Sequence, residues 1–561
     1  MIDSFAWDSY LKYGEMTQFL KELTERYPDL CEMYSVGKTW QGRDIWCIEV
    51  TNKRTGKGAE KPALYVDGNT HAGEVTGSMI SLYIAWYLTG NYASDPKVRE
   101  IVDKRTFYII PRLSADGAEL YLTEPYIPRS SIRPWPFEEE KDGLHPYDID
   151  GDGVIAQMRI EDENGDWRVS EKDPRVMVRR KPHEVGGKYY TIFQEGLIRN
   201  WNGVEVKVAP SKWGLDVNRN YAANWQQQHV QPGAGPYPFS EPEARAVAEF
   251  FEKHKNITVA QSFHTFTGAV LRPPASKADK DISPKDLKAL KEIGAIGQEL
   301  TGYPCVGVYE DFALSKDIVG KRPLWGSALE WMLEHGGVVA YSTEVWDFTN
   351  RAIGRLDTYK TLMDWSEDEQ ILMQKWNDEN LRGEGFINWR PFNHPQLGPV
   401  ELGGWKHKYV LQNPPPKFLK QECHKNAMFA IATASVTPEI RITKLEAEKV
   451  AEGVYNVRAA VRNMGYLPSN VTDAGIKNRT AEKVKAEIKV PEGAAVVGGK
   501  SEIEIGHLEG RLAVGRAFFG SGVSPELVQW IVKTEGRPAT VTVRAGCPRG
   551  GYAEKSVELV P

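Results

Sequence analysis

The sequence predicts an α/β fold, a mixed central sheet with flanking helices, followed by a C-terminal all-β Ig-like sandwich. Three observations carry that expectation. Over roughly the first 430 residues, short runs of apolar residues bounded by turn residues alternate with helical runs. Those strand-like runs are largely apolar, as strands covered on both faces are. Beyond Ile440 the segments become short, alternating and Val-rich, with turns about every ten residues.

In chain order, Arg43 to Val50 and Pro62 to Asp67 read as strands, and Glu74 to Leu88 as a helix ended by Thr89-Gly90. Thr106 to Ile110 is a buried strand stopped by Pro111. Residues 125–212 are rich in Pro, Gly, Arg and Asp and lack a regular period. That is too long for a structureless loop in a compact domain, so an insertion with short elements of its own is expected. Ser240 is expected to cap a helix running through Lys253, with Glu243 completing a capping box and Pro242 in the first turn. Ile257 to Ala260 and Gly337 to Tyr341 read as further buried strands, which puts His264 and Glu344 at strand ends. Phe418 to Ala432 is helical, and Val454 to Val461, Val484 to Val490 and Ala539 to Arg544 are strands of the sandwich. The expected division is 1–434 and 435–561.

Composition removes several classes of function. The chain has 561 residues and a formal net charge of −6, so it offers no basic field for nucleic acid or anionic lipid. No apolar run approaches the ~20 residues of a membrane helix. Met1 to Asp8 has neither the basic head nor the apolar core of a signal peptide, so a cytoplasmic location is expected unless a leader was removed. Five cysteines are scattered without a C-x-x-C pair, which indicates neither a disulfide framework nor a cysteine zinc site.

Four groups of residues bear chemistry. His71-Ala72-Gly73-Glu74 follows a strand through a polar turn, and an imidazole and a carboxylate three residues apart can converge on one ion. Asp216-Val217-Asn218-Arg219-Asn220-Tyr221 sets a guanidinium beside an amide, a combination suited to gripping a carboxylate. His264 and Glu344 stand at the carboxyl ends of strands, where open α/β sheets build their sites. Singly, each group also describes a polar turn or a satisfied strand end. Their joint order is what discriminates.

That order resembles the zinc carboxypeptidases of the carboxypeptidase A type (peptidase family M14, the funnelins). Tyr27-Pro28-Asp29-Leu30, Gln41-Gly42-Arg43-Asp44 and Ser114-Ala115-Asp116-Gly117 add to the likeness, which covers roughly residues 8–430. The resemblance implies one zinc ion on His71, Glu74 and His264, with Glu344 as general base. It implies that Asn218 and Arg219 bind the terminal carboxylate of a peptide, and that Asp216 orients His71. An arginine that stabilises the oxyanion falls among Arg129, Arg133, Arg179 and Arg180 in the insertion, and Arg133 is the choice made from sequence. The family's mobile tyrosine has no counterpart in Gly320-Lys321-Arg322-Pro323-Leu324-Trp325; Tyr309 is out of register, and Lys321 or Arg322 stands in that region. Asp148-Ile149-Asp150-Gly151-Asp152-Gly153 resembles the first half of an EF-hand loop, so calcium near Asp148, Asp150 and Asp152 is a further expectation, although Arg159 occupies the twelfth position.

The implied activity is removal of C-terminal residues from peptides. Two alternatives stand beside it: an amidase of cell-wall peptides or N-acyl amino acids on the same fold, and a catalytically inactive peptide-binding module. The expected partner is a peptide with a free C-terminal carboxylate, with no nucleic acid and no membrane.

Overall fold

The computed structural model describes residues 2, 4–312, 316–317, 320–354, 365–513 and 523–560. Its centre is an eight-stranded mixed sheet. Across it lie Cys31–Lys38, Asp44–Val50, Thr106–Ile110, Ala63–Gly68, Ile257–Thr265, Val339–Val345, Ala269–Arg272 and Cys305–Gly307. The four middle strands, from Thr106–Ile110 to Val339–Val345, run parallel, and antiparallel pairs join them to the strands outside.

The middle of this sheet is covered on both faces, and there Ala63–Gly68, Thr106–Ile110 and Ile257–Thr265 are buried at every residue. Leu64 and Val66 point to one side, against the helices Tyr13–Arg26 and Thr76–Asn91, while Ala63 and Tyr65 point to the other, against Pro242–Lys253. The alternation follows from the two-residue period of a strand.

Local expectations met tertiary structure with mixed results. The strands begun by Ile257 and Val339 continue past the apolar run, through His264 and through Glu344, so both residues lie within strands. The helix expected from Ser240 starts at Pro242 with Glu241 at the N-cap. Ser240 instead accepts a hydrogen bond from Asn220 Nδ2 at 2.9 Å and donates to Glu241, and Glu243 buries its carboxyl with no hydrogen-bond partner among the described residues. Cys31–Lys38, Ala269–Arg272 and Cys305–Gly307 were not foreseen; the first has an irregular burial pattern and the other two are only three or four residues long.

The stretch 125–212 contains six short strands. Four of them extend the hairpin Phe386–His394 and Gly398–Trp405 into a six-stranded sheet, Gln157–Glu161 pairing with Gly398–Trp405. The C-terminal part forms two four-stranded antiparallel sheets packed over Val457, Val461, Ile488, Trp530, Val532 and Val543. It is fastened to the first part by polar contacts. Arg549, 4% exposed, donates to the carbonyls of Gly336 (2.7 Å) and Gly337 (2.9 Å), just ahead of the strand Val339–Val345. Arg105 reaches Thr437 at 2.5 Å and Glu439 at 3.3 Å. Among the described residues no helix is long and apolar enough to cross a membrane, and the five cysteines are unpaired.

Candidate metal centre

The turn Gly68-Asn69-Thr70-His71 is held tightly. Asn69 adopts a left-handed conformation (φ 59°) and its Nδ2 donates to the carbonyls of His71 (2.8 Å) and Ala72 (3.0 Å). Helix Thr76–Asn91 then passes close to the neighbouring strand: a Cβ on Gly77 would lie 2.5 Å from the Phe263 carbonyl, so only glycine fits. This approach brings His71 and Glu74 beside His264.

His71 Nδ1 lies 2.8 Å from Glu74 Oε1, and His264 Nδ1 lies 2.9 Å from Glu74 Oε2 and 3.1 Å from His71 Nδ1. All three residues are buried, and their donor atoms lie within 4.8 Å of one another. Two imidazole nitrogens and a carboxylate form a donor set that zinc takes in sites with an open fourth position. Each outer imidazole nitrogen also has a protein partner. His71 Nε2 meets Asp216 Oδ1 at 3.2 Å, and His264 Nε2 meets Ser262 Oγ at 3.2 Å. The residues present therefore fit zinc.

The other residues singled out from sequence gather around this cluster. The parallel pairing of Ile257–Thr265 with Val339–Val345 aligns His264 directly with Glu344. Burial, reinforced by the Glu74 carboxylate, pushes the Glu344 carboxyl up to about 8 against the pull of His71, Arg129 and Arg219. Burial would likewise raise Asp216, but Arg129, His71 and Arg219 hold it well below the usual carboxylate range. Asn218 Oδ1 accepts from the Ala328 amide at 2.9 Å, which orients its amide nitrogen, and Arg219 Nη1 donates to the Asn218 carbonyl at 2.8 Å. Burial lowers the Arg219 pKa, and the charges of Asp216, Arg129, Glu344 and Arg322 all act on it.

Arg133 does not reach this site. Its guanidinium is spent on the buried Glu241, with Nε 3.3 Å from Oε2, and stacks near Trp40 and Trp135. Arg129 stands there instead, with Nε 3.0 Å from Asp216 Oδ2 and Nη1 3.5 Å from Glu74 Oε1. Its backbone is pinned to the metal turn, since Ala72 N donates to the Arg129 carbonyl at 2.8 Å. Gly117 makes room for this segment: a Cβ there would fall 2.2 Å from the Ser130 carbonyl. The Ser114–Gly117 turn is in turn tied to the Gln41–Asp44 segment, Asp116 accepting from Gln41 N, Thr39 and Arg43 at 2.7 Å each. Lys321 pairs with Glu310 and lies 5.5 Å over the Tyr309 ring.

The calcium expectation gains no support. Arg390 pairs with Asp150, and with Asp152 at 2.9 Å, so these carboxylates already share a cation. Asp148 accepts the amides of Gly151 and Gly153 at 2.8 Å. Glu195, which joins Asp148 and Asp150 in a group of acids, accepts from Ile149 N and Ala156 N at 2.7 Å. Arg159, at the position where a loop of this kind needs an acid, pairs with Glu401 at 2.9 Å.

Part of the sequence is similar to curated carboxypeptidases. Human carboxypeptidase D is 30% identical over 110 residues, which span 20% of this chain and 8% of that protein. Mouse carboxypeptidase A6 is 21% identical over 284 residues, 49% of this chain and 48% of the relative. The chain thus spans half or less of the curated relatives it matches. Among solved structures, thrombin-activatable fibrinolysis inhibitor aligns with 77% of this chain and 78% of its own at 16% identity and a TM-score of 0.44. Carboxypeptidase A from Helicoverpa armigera aligns with 77% of this chain and 75% of its own at 13% identity and a TM-score of 0.44. A domain family of unknown function matches residues 439–558, and the zinc carboxypeptidase family model matches residues 16–363. The latter match covers more than half of the sequence, and the chain belongs to the zinc carboxypeptidase family.

Proposed function

We propose that this chain is a zinc metallocarboxypeptidase that hydrolyses the C-terminal peptide bond of peptides. The observation that carries the reading is the convergence of His71, Glu74 and His264 with Glu344 aligned beside His264 on the next strand. Zinc bound by the three side chains would polarise the scissile carbonyl and lower the pKa of a water. The chain's own groups supply the rest. Glu344 takes a proton from the attacking water and returns it to the leaving amine. Arg219 and the Asn218 amide receive the substrate's terminal carboxylate, the guanidinium binding both oxygens. Arg129 faces the same cluster and stabilises negative charge developing on the carbonyl oxygen. Asp216 fixes His71 in the tautomer that leaves Nδ1 unprotonated.

The test is Glu344→Gln. Release of C-terminal residues from a peptide library is expected to fall by about 10²–10⁴-fold, while metal analysis still finds one zinc per chain. Turnover equal to wild type would refute the assigned role.

A further inference from the structure

The two imidazoles of the metal centre are braced differently. His71 Nε2 meets a carboxylate directly, whereas His264 Nε2 meets a hydroxyl, that of Ser262, at 3.2 Å. Ser262 Oγ in turn donates to Asp67 Oδ1 at 2.5 Å. The parallel ladder builds this chain of contacts. Ser262 on the strand Ile257–Thr265 is aligned directly with Asp67 on Ala63–Gly68, and His264, two residues on, shares its face.

Asp67 is a costly residue in that place. Every residue of its strand is buried, Asp67 is 1% exposed, and among the described residues no Lys or Arg is ion-paired with it. A buried carboxylate without a cation is expensive unless its hydrogen bonds compensate. The Ser262 hydroxyl supplies one, and in donating to Asp67 it can only accept from His264. That direction makes His264 Nε2 the protonated nitrogen and leaves Nδ1, the atom facing Glu74 and His71, as the lone-pair donor.

We propose that Asp67 and Ser262 are positioning residues that fix the tautomer and orientation of His264 through a carboxylate–hydroxyl–imidazole relay. The inference rests on the reading of His71, Glu74 and His264 as a zinc site. Both residues are buried. Their effect is on the affinity of the centre for its metal, and it matches in outcome what Asp216 does for His71 by direct contact.

Zinc affinity measured by chelator competition on the full chain tests it. Asp67→Asn and Ser262→Ala are each expected to weaken zinc binding about 10–100-fold. The double variant is expected to be no weaker than the worse single one, because a relay is broken once. The melting temperature of the metal-free forms provides the control for a merely structural role. Affinity within twofold of wild type in Ser262→Ala, whatever its melting temperature, overturns the relay, and that variant decides alone if Asp67→Asn does not fold. Additive losses in the double variant also overturn it. Wild type that takes up no zinc refutes the metal-site reading as well, so the two failures are distinct.

Discussion

At the scale of single residues, two arginines four positions apart have opposite fates. Arg129 approaches both Asp216 and Glu74, and its carbonyl holds the Ala72 amide, whereas Arg133 neutralises Glu241, which is fully buried. Their replacement should therefore separate activity from stability. Arg129→Ala is expected to lower kcat by about 10²–10³-fold, the usual loss when an oxyanion donor is removed, in a protein that still folds. Arg133→Ala is expected to leave kcat within about tenfold but to cost about 3–5 kcal/mol in denaturant titrations, because Glu241 loses its cation. The reverse pattern would reassign the oxyanion role. Sequence could not make this choice, because all four eligible arginines lie in a segment without periodicity. What brings Arg129 to the cluster is a backbone hydrogen bond to the turn that carries His71, which leaves no trace in composition.

At the scale of elements, the cluster of His71, Glu74 and His264 with Glu344 beside it was legible because each residue follows an apolar run in a recognisable order. The strands of His264 and Glu344 run beyond their apolar runs for a physical reason. Gln261, Ser262 and His264 are polar and yet buried, and polarity in sequence normally marks the end of a buried strand. The helix start departs from the capping box for a similar reason: Ser240 is diverted by Asn220, and Glu243 faces the core. Burial pushes the Glu243 carboxyl up to about 8. Its folded-state pKa thus exceeds the ordinary value of 4.5, so the folded chain binds the extra proton between those two limits. Stability must then fall as pH rises from about 4.5 through 8. Glu243→Gln is expected to flatten that slope and to be more stable than wild type by about 1–3 kcal/mol at pH 8, the gap closing near pH 5. Parallel pH–stability curves for the two proteins would remove Glu243 from the account.

At the scale of the whole molecule, alternation of strands and helices followed by Val-rich strands was enough to foresee a mixed sheet and a β sandwich. The joint between them was not foreseeable, because it is made by long-range contacts of single side chains. Arg549 is the clearest of these. It lies in the sandwich, burial lowers its pKa to about 10, and it donates to the carbonyls of Gly336, Gly337 and Asn470. Arg549→Ala is expected to destabilise the chain by about 2–4 kcal/mol, from lost charge-assisted bonds and carbonyls left unserved. Because those glycines lead into the strand of Glu344, hydrogen exchange at Val339–Val345 is expected to quicken in the same variant. Unchanged exchange there would confine the contact to holding the two parts together.

The pairing of His264 with Glu344 has one more consequence. Their spacing is set by a backbone ladder, and a slip of one residue between the two strands would send one of them to the opposite face of the sheet. No side chain at either position is needed to keep that distance. Segments around the sheet, such as the stretch 125–212 with its six short strands, can therefore change length and chemistry while the ladder works as a fixed ruler between His264 and the acid beside it.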